Sequence, residues 1–285
     1  MGMLFCFGLG YSARRLAGTL RAEGWRVVGT CRSDEERKAL ERDGLEALIF
    51  GRDHPLDPAA LAGATHVLTS VPPDSLGDPV LERHAADIAA IPGLKWVGYL
   101  STTGVYGDTG GAWVDEESPI RPRVPRSIRR AEAERGWLAL RESSGVPVHV
   151  FRLAGIYGPG RSAIDSVRSG RAHRVVKPGQ TFGRIHVDDL ARVLRASMHR
   201  PDPGTIYNVC DDDPAPPQDV ILHACTLLGV PPPPEMSWEE AERTLSPMAL
   251  SFFADSRRVR NDRIKRDLGI RLTFPTYREG LASLL

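Results

Sequence analysis

An α/β fold built on a doubly wound parallel sheet is what this sequence of 285 residues predicts, and three observations predict it. Short apolar runs bounded by turn residues recur, helix-like segments lie between them, and the runs are apolar at successive positions, the pattern of strands buried on both faces. Strands are expected over residues 4–7, 25–28, 47–50, 66–68, 96–100 and 148–153, and crossover helices over 14–23, 34–43, 80–90 and 131–143.

Taken in order, the first strand runs into Gly8-Leu9-Gly10-Tyr11-Ser12-Ala13 and then into a helix, a Rossmann-like start. Gly8 permits a tight turn, Gly10 leaves room for backbone to approach a pyrophosphate, and Ala13 allows close helix–strand packing. The helix start offers N–H groups and a positive dipole end to phosphates, so Gly8, Leu9, Gly10, Tyr11, Ser12 and Ala13 are expected to bind a dinucleotide. The second strand ends at Arg32-Ser33, where an NAD site would usually carry Asp or Glu for the ribose 2′-hydroxyl. A guanidinium suits a 2′-phosphate instead, so NADP is expected ahead of NAD, with Arg32 and Ser33 as its contacts. Ser70, after the fourth strand, is counted with these cofactor residues. The fifth strand ends in the hydroxyl-rich run Ser101-Thr102-Thr103 before Gly104-Val105-Tyr106.

After Gly155 the composition changes. Gly158-Pro159-Gly160-Arg161, Pro201-Asp202-Pro203-Gly204, Pro214-Ala215-Pro216-Pro217 and a run of four prolines from Pro231 punctuate shorter helices, which reads as a smaller, loop-rich lobe. Residues 185–199 and 205–210 look like a helix and a strand that return to the sheet. The expected organisation is therefore a dinucleotide-binding domain over 1–155, which also receives about 184–210, and an interleaved substrate lobe over 156–285.

Several function classes are excluded at the level of composition. A net charge of +1 supplies no basic excess for a nucleic acid. Cys6, Cys31, Cys210 and Cys225 are scattered without C-x-x-C or metal-ligand spacing, so no metal site is expected and the thiols read as reduced and buried. No run approaches the roughly 20 apolar residues of a membrane span, and the start lacks a signal peptide's basic region; a cytoplasmic protein is expected. Only Lys38, Lys95, Lys177 and Lys265 are lysines, so arginine carries nearly all the positive charge.

The ordered set of motifs resembles the extended short-chain dehydrogenase/reductases, the epimerase/dehydratase family. Besides the glycine turn, Arg152-Leu153-Ala154-Gly155-Ile156-Tyr157-Gly158-Pro159, Arg184-Ile185-His186-Val187-Asp188-Asp189-Leu190 and Tyr207-Asn208-Val209 match its later signatures. The resemblance implies a nicotinamide cofactor and a small-molecule substrate such as a nucleotide sugar. It also implies that Thr102 orients the substrate oxygen, with Ser101 beside the cofactor and Thr103 beside the substrate, and that Arg161 and Arg184 anchor a diphosphate. In that family a Tyr-x-x-x-Lys pair moves the proton. Here its two positions fall on Arg126 and Arg130, and no tyrosine lies between Tyr106 and Tyr157. Arg130 still suits a ribose, but a guanidinium has no proton to give near neutral pH. The departure resembles an atypical, YeeZ-like subgroup. Tyr106 is the remaining catalytic candidate beside Thr102. His186 is a substrate-binding candidate whose setting at a helix start also fits capping and packing. Trp238, Phe252 and Phe253 fit either the lining of a pocket in the smaller lobe or, as is commoner for aromatics so spaced, core packing. Family members often dimerise through the third and fourth helices; Gly136 and the charges on the latter leave its apolar stripe narrow, so monomer and homodimer both stay open.

Overall fold

The structure, a computed structural model, describes residues 2–285; Met1, with which the expected first domain begins, lies outside the described residues. Seven parallel strands form the central sheet: β1 (Met3–Phe7), β2 (Arg26–Cys31), β3 (Glu46–Ile49), β4 (His66–Thr69), β5 (Trp96–Thr102), β6 (Val148–Leu153) and β7 (Ile206–Val209). Their order across the sheet is β7-β6-β5-β4-β1-β2-β3. The helices that matter below are α1 (Tyr11–Ala22), α2 (Asp34–Arg42), α3 (Pro79–Ala89), α4 (Pro125–Ser144), α5 (Ala163–Arg168), α6 (Val187–His199) and α7 (Pro217–Leu228). All six predicted strands and all four predicted crossover helices are present. Two bounds moved for a local reason. Pro125 opens α4 six residues early, because proline's fixed φ suits the first helical position. Residues Arg184–His186 form a short strand parallel to Gly155–Tyr157, so the helix expected from 185 begins at Val187.

The strand order reverses between β1, which pairs with β2 on one side, and β4 on the other. In an open parallel sheet this switch point leaves a crevice at the carboxyl ends of the two strands, where ligands bind. The turn after β1 and the residue after β4 meet there: Ser70 Oγ donates to the Gly8 carbonyl at 2.7 Å.

The chain clusters into two compact units. The first runs to Thr102 and adds Ile128–Arg152 and Ala191–Tyr207; the second comprises Thr103–Ser127, Leu153–Leu190 and Asn208–Leu285. In the first, Phe5, Phe7, Val67, Val97, Tyr99, Val148 and Val150 are fully buried, as an apolar two-sided sheet requires. Trp137 of α4 stacks on Tyr99 at 5.9 Å and donates its indole N–H to Asp78 at 3.0 Å. Asp78 in turn caps α3 through the amides of Val80 and Leu81, so a buried acid is fully bonded.

His66 and His149 are two of the histidines buried in the same unit. His149 accepts the Asp202 amide at Nε2 (3.0 Å) and places Nδ1 3.1 Å from the Pro147 carbonyl, which the neutral tautomer satisfies at both nitrogens. His66 sits between Trp25 and Trp96. Burial pushes both down to about 4 from the ordinary 6.5. A base whose folded pKa is depressed stabilises the fold above its unfolded pKa and loses that contribution as pH falls, because only the unfolded chain takes up the proton. The urea midpoint is therefore expected to fall steadily from pH 7 to pH 4.5, with each histidine contributing at most about 3 kcal/mol. A midpoint that is flat over this range would refute buried neutral histidines.

Candidate active site

Gly8 turns the chain at φ +88°, and a Cβ there would lie 2.8 Å from Ser70 Oγ, so both backbone and space demand glycine. Gly8 N donates to Thr30 Oγ1 at 2.8 Å and Leu9 N to the Thr30 carbonyl at 2.7 Å. This corrects one expectation: the Leu9 amide, counted among the phosphate donors, is bonded to β2, and its side chain is buried against Gly29. Gly10 is the N-cap of α1 and no side chain caps that helix. A Cβ added to Gly10 would meet nothing within 4 Å. The first intrahelical bond runs from Arg14 N to the Gly10 carbonyl at 2.9 Å, and the amides of Ser12 and Ala13 have no acceptor among the described residues. Open space, two donors and the positive end of a twelve-residue helix make a cradle that fits a pyrophosphate. Arg14 Nε steadies the turn by donating to the Leu9 carbonyl at 2.9 Å.

At the end of β2 the Arg32 side chain is 88% exposed. Its amide donates to Glu36 Oε2 at 3.0 Å, and its guanidinium stands 3.7 Å from the same carboxylate. Ser33 caps α2 by accepting the Glu36 amide at 3.2 Å, and its hydroxyl also reaches the Glu35 carboxylate.

The carboxyl end of β5 is held from beneath. Arg152, at the end of β6, forms a bidentate pair with Glu134 of α4 at 2.9–3.2 Å, both side chains being 2% exposed. Ser101 Oγ donates to the same Glu134 carboxylate. Ser101, expected beside the cofactor, therefore points its proton into the core, a position no motif reveals. Thr102 ends β5, and Thr103–Tyr106 form a buried 3-10 turn. Arg130 donates to the Leu100 carbonyl at 2.6 Å and lies 5.6 Å over the Tyr99 ring. Tyr106 is 1% exposed and donates its phenol proton to Asn208 Oδ1 at 2.8 Å, the placement of a packing tyrosine and not of a proton donor. Arg126 donates to the Ser251 carbonyl at 3.2 Å and lies 4.5 Å over the Phe252 ring. Phe252 is 52% exposed, so the expectation that it is core is corrected; Trp238 is half-buried beneath the Lys177 ammonium, and Phe253 is half-buried between Trp238 and Phe182.

Within the second unit, Arg161 and Arg184 line one cavity of roughly 680 Å³. His186 does not line it. That ring is buried, accepts the Asp188 amide at Nδ1 (3.2 Å) and packs between Tyr157 and Phe274, as its capping setting suggested and its role as a substrate-binding candidate did not. Motif reading missed Arg171, His173 and Tyr277 on the same cavity, because they lie outside any signature and converge only through the fold.

The sequence model of the NAD dependent epimerase/dehydratase family matches residues 79–210. Protein YeeZ of Escherichia coli K12 is 29% identical over 241 residues, 79% of this chain and 84% of that protein. A conserved protein of unknown function from Silicibacter pomeroyi is 51% identical, superposes with a TM-score of 0.92 and is matched over 100% of this chain and 98% of its own. Residues 79–210 thus carry the signature of the NAD dependent epimerase/dehydratase family, and most of the chain is similar to YeeZ. The chain shares its fold with UDP-glucuronic acid 4-epimerase from Bacillus cereus, solved with UDP-glucuronic acid and NAD, at a TM-score of 0.81 and 15% identity over 100% of this chain and 98% of that one.

The glycine turn and the β5 end both sit at carboxyl ends of sheet strands. Among the described residues no cluster of histidine, cysteine or carboxylate could hold a metal, and no helix is long and apolar enough to cross a membrane.

Removing one partner of a buried ion pair strands the other. Arg152→Met is expected to lower the unfolding free energy by about 3–5 kcal/mol, and a double Glu134→Leu, Arg152→Met variant to recover part of that loss. Chemical denaturation of the three proteins checks this; equal stability of the single variant and the parent would show that the pair does not hold the β5 end.

Proposed function

We propose that the protein is an oxidoreductase-type member of its family that prefers NADP, accepts NAD, and acts on a nucleotide sugar or a similar polar metabolite with a non-standard proton donor. The observation that carries this reading is the uncapped start of α1 at the sheet's switch point, where Gly10 leaves open space beside the unbonded Ser12 and Ala13 amides. Gly8, Gly10, Tyr11, Ser12 and Ala13 would cradle the pyrophosphate, Ser70 would shape the turn by its bond to Gly8, and Arg130 would face the ribose. When bound, the nicotinamide supplies or accepts a hydride. Arg32 is exposed and only loosely paired, so it can turn to a 2′-phosphate, with Ser33 beside it.

The proton is the difficult part. Arg126 cannot donate one, and the Tyr106 proton is engaged with Asn208. Thr102, at the strand end, is the hydroxyl we assign to substrate orientation, with Thr103 next to it and water as the proton source. The first unit would then hold the cofactor and the second, through Arg161 and Arg184, the substrate. A cytoplasmic monomer or homodimer of the atypical, YeeZ-like subgroup fits this reading. The same two observations at Arg126 and Tyr106 favour a second reading, a non-catalytic NADP-binding sensor or partner module.

Titration calorimetry is expected to show NADPH binding at least tenfold tighter than NADH, with Arg32→Asp removing that preference; equal affinities in the parent would refute the NADP assignment. Gly10→Val should abolish uptake of both, and if it binds like the parent the cradle is misplaced. Thr102→Val in a panel of nucleotide sugars and carbonyl compounds, followed by nicotinamide absorbance, separates the two readings. Turnover by the parent that this variant loses supports the enzyme, whereas tight NADPH binding with a silent panel supports the module.

A further inference from the structure

Gly8 and Leu9, in the turn after β1, carry four backbone polar groups between them, and each has a partner within the first unit. Gly8 N donates to Thr30 Oγ1 at 2.8 Å, and the Gly8 carbonyl accepts Ser70 Oγ at 2.7 Å. Leu9 N donates to the Thr30 carbonyl at 2.7 Å, and the Leu9 carbonyl accepts Arg14 Nε at 2.9 Å. Thr30 is 1% exposed and supplies two of these partners from inside β2. The Leu9 side chain, 3% exposed, is seated over Gly29 of the same strand, where an added Cβ would stand 2.3 Å from Leu9 Cγ.

The peptide that joins Gly8 to Leu9 gains most from this arrangement. A trans peptide points its carbonyl and its N–H in opposite directions. Here the carbonyl reaches Ser70, just after β4, and the N–H reaches Thr30, in β2. Those are the two strands that flank β1, so the peptide is strung between both neighbours. Rotating it would break the two bonds at once. Without them the rotation would be easy, because glycine accepts both signs of φ. Gly10 follows directly and opens α1, so the heading of the helix start, and of the Ser12 and Ala13 amides, is inherited from this peptide.

We propose that Thr30 and Gly29 of β2, together with Ser70, are positioning residues for the coenzyme: they fix the phosphate turn in its binding form before any dinucleotide arrives. The proposal rests on the reading of this turn as a dinucleotide site, and it assigns roles to side chains that need not touch the ligand. Affinity depends on them because a backbone segment that must be ordered on binding consumes part of the binding free energy, whereas one already fixed does not. The pyrophosphate is common to NADPH and NADH. Loss of the clamp therefore weakens both by the same factor, whereas a change at Arg32 alters their ratio.

Two measurements on the full chain test this. Amide hydrogen exchange without ligand reads the clamp itself: Thr30→Val, which keeps the side chain's shape and removes the acceptor, is expected to quicken exchange at Gly8, and Ser70→Ala at Leu9. The β5 amides of Val97 and Tyr99 should exchange as in the parent. Calorimetric titration reads the consequence: each variant is expected to bind NADPH and NADH about tenfold more weakly, with their ratio unchanged. Thr30→Ser, which retains the hydroxyl, should restore both readouts, and Gly29→Ala, which displaces Leu9, should weaken both nucleotides alike. The proposal is overturned if Thr30→Val and Ser70→Ala bind as the parent does, if affinity falls while exchange at the turn is unaltered, or if the loss is confined to NADPH. A parent that takes up neither nucleotide, with exchange quickened in the variants, would instead sink the dinucleotide reading and leave the clamped turn standing.

Discussion

The ion pair between Glu134 and Arg152 is the constraint from which the rest of the first unit takes its geometry. Two charges at 2% exposure survive in the core only because each is fully bonded, the carboxylate accepting both the guanidinium fork and the Ser101 hydroxyl. Three separate elements, α4, β5 and β6, end up tied at one point. That point lies directly beneath the residue that ends β5, so Thr102 and the turn after it inherit a fixed starting position. An apolar substitute could match the stability of such a pair, yet it would not aim a hydroxyl at a carboxylate and so would leave the strand end free to rotate.

A related economy runs through the polar groups near the candidate site. Each group that a proton relay would draw on is turned to structure: the Tyr106 phenol to Asn208, the Arg126 guanidinium to Ser251 and Phe252, the Arg130 guanidinium to Leu100. The Ser12 and Ala13 amides at the start of α1, which have no acceptor among the described residues, are of a different kind: they suit the holding of negative charge and not the movement of a proton near neutral pH.

The frame was legible because buried parallel strands write themselves as continuous apolar runs, and all six such runs became strands. The glycine turn was legible for a similar reason, since Gly8 answers a backbone demand that no other residue meets equally well and Gly10 leaves open space at the start of α1. What stayed hidden was direction and burial. Leu9 and Ser101 sit within the right motifs, yet one sends its amide back to β2 and the other its hydroxyl into the core. Asp211 stands first in a run of three aspartates, and only the fold shows that it alone of the three is buried. Tyr277 lies 116 residues from Arg161, and nothing local in either segment announces that they share a wall (277 − 161 = 116).

The route of the backbone has a consequence for how this molecule can be taken apart. The polypeptide leaves the first unit after Thr102, re-enters at Ile128, leaves again after Arg152, and returns once more for Ala191–Tyr207. A fragment ending near residue 155 would lack α6 and β7, so the outer edge of β6 would lose its neighbour, the Phe151 ring its stacking partner Tyr207, and the Trp96 indole its acceptor Ser197. Neither half is a cassette that could be excised, expressed alone or traded between relatives; any hybrid must exchange several segments together or be joined at the surface loops.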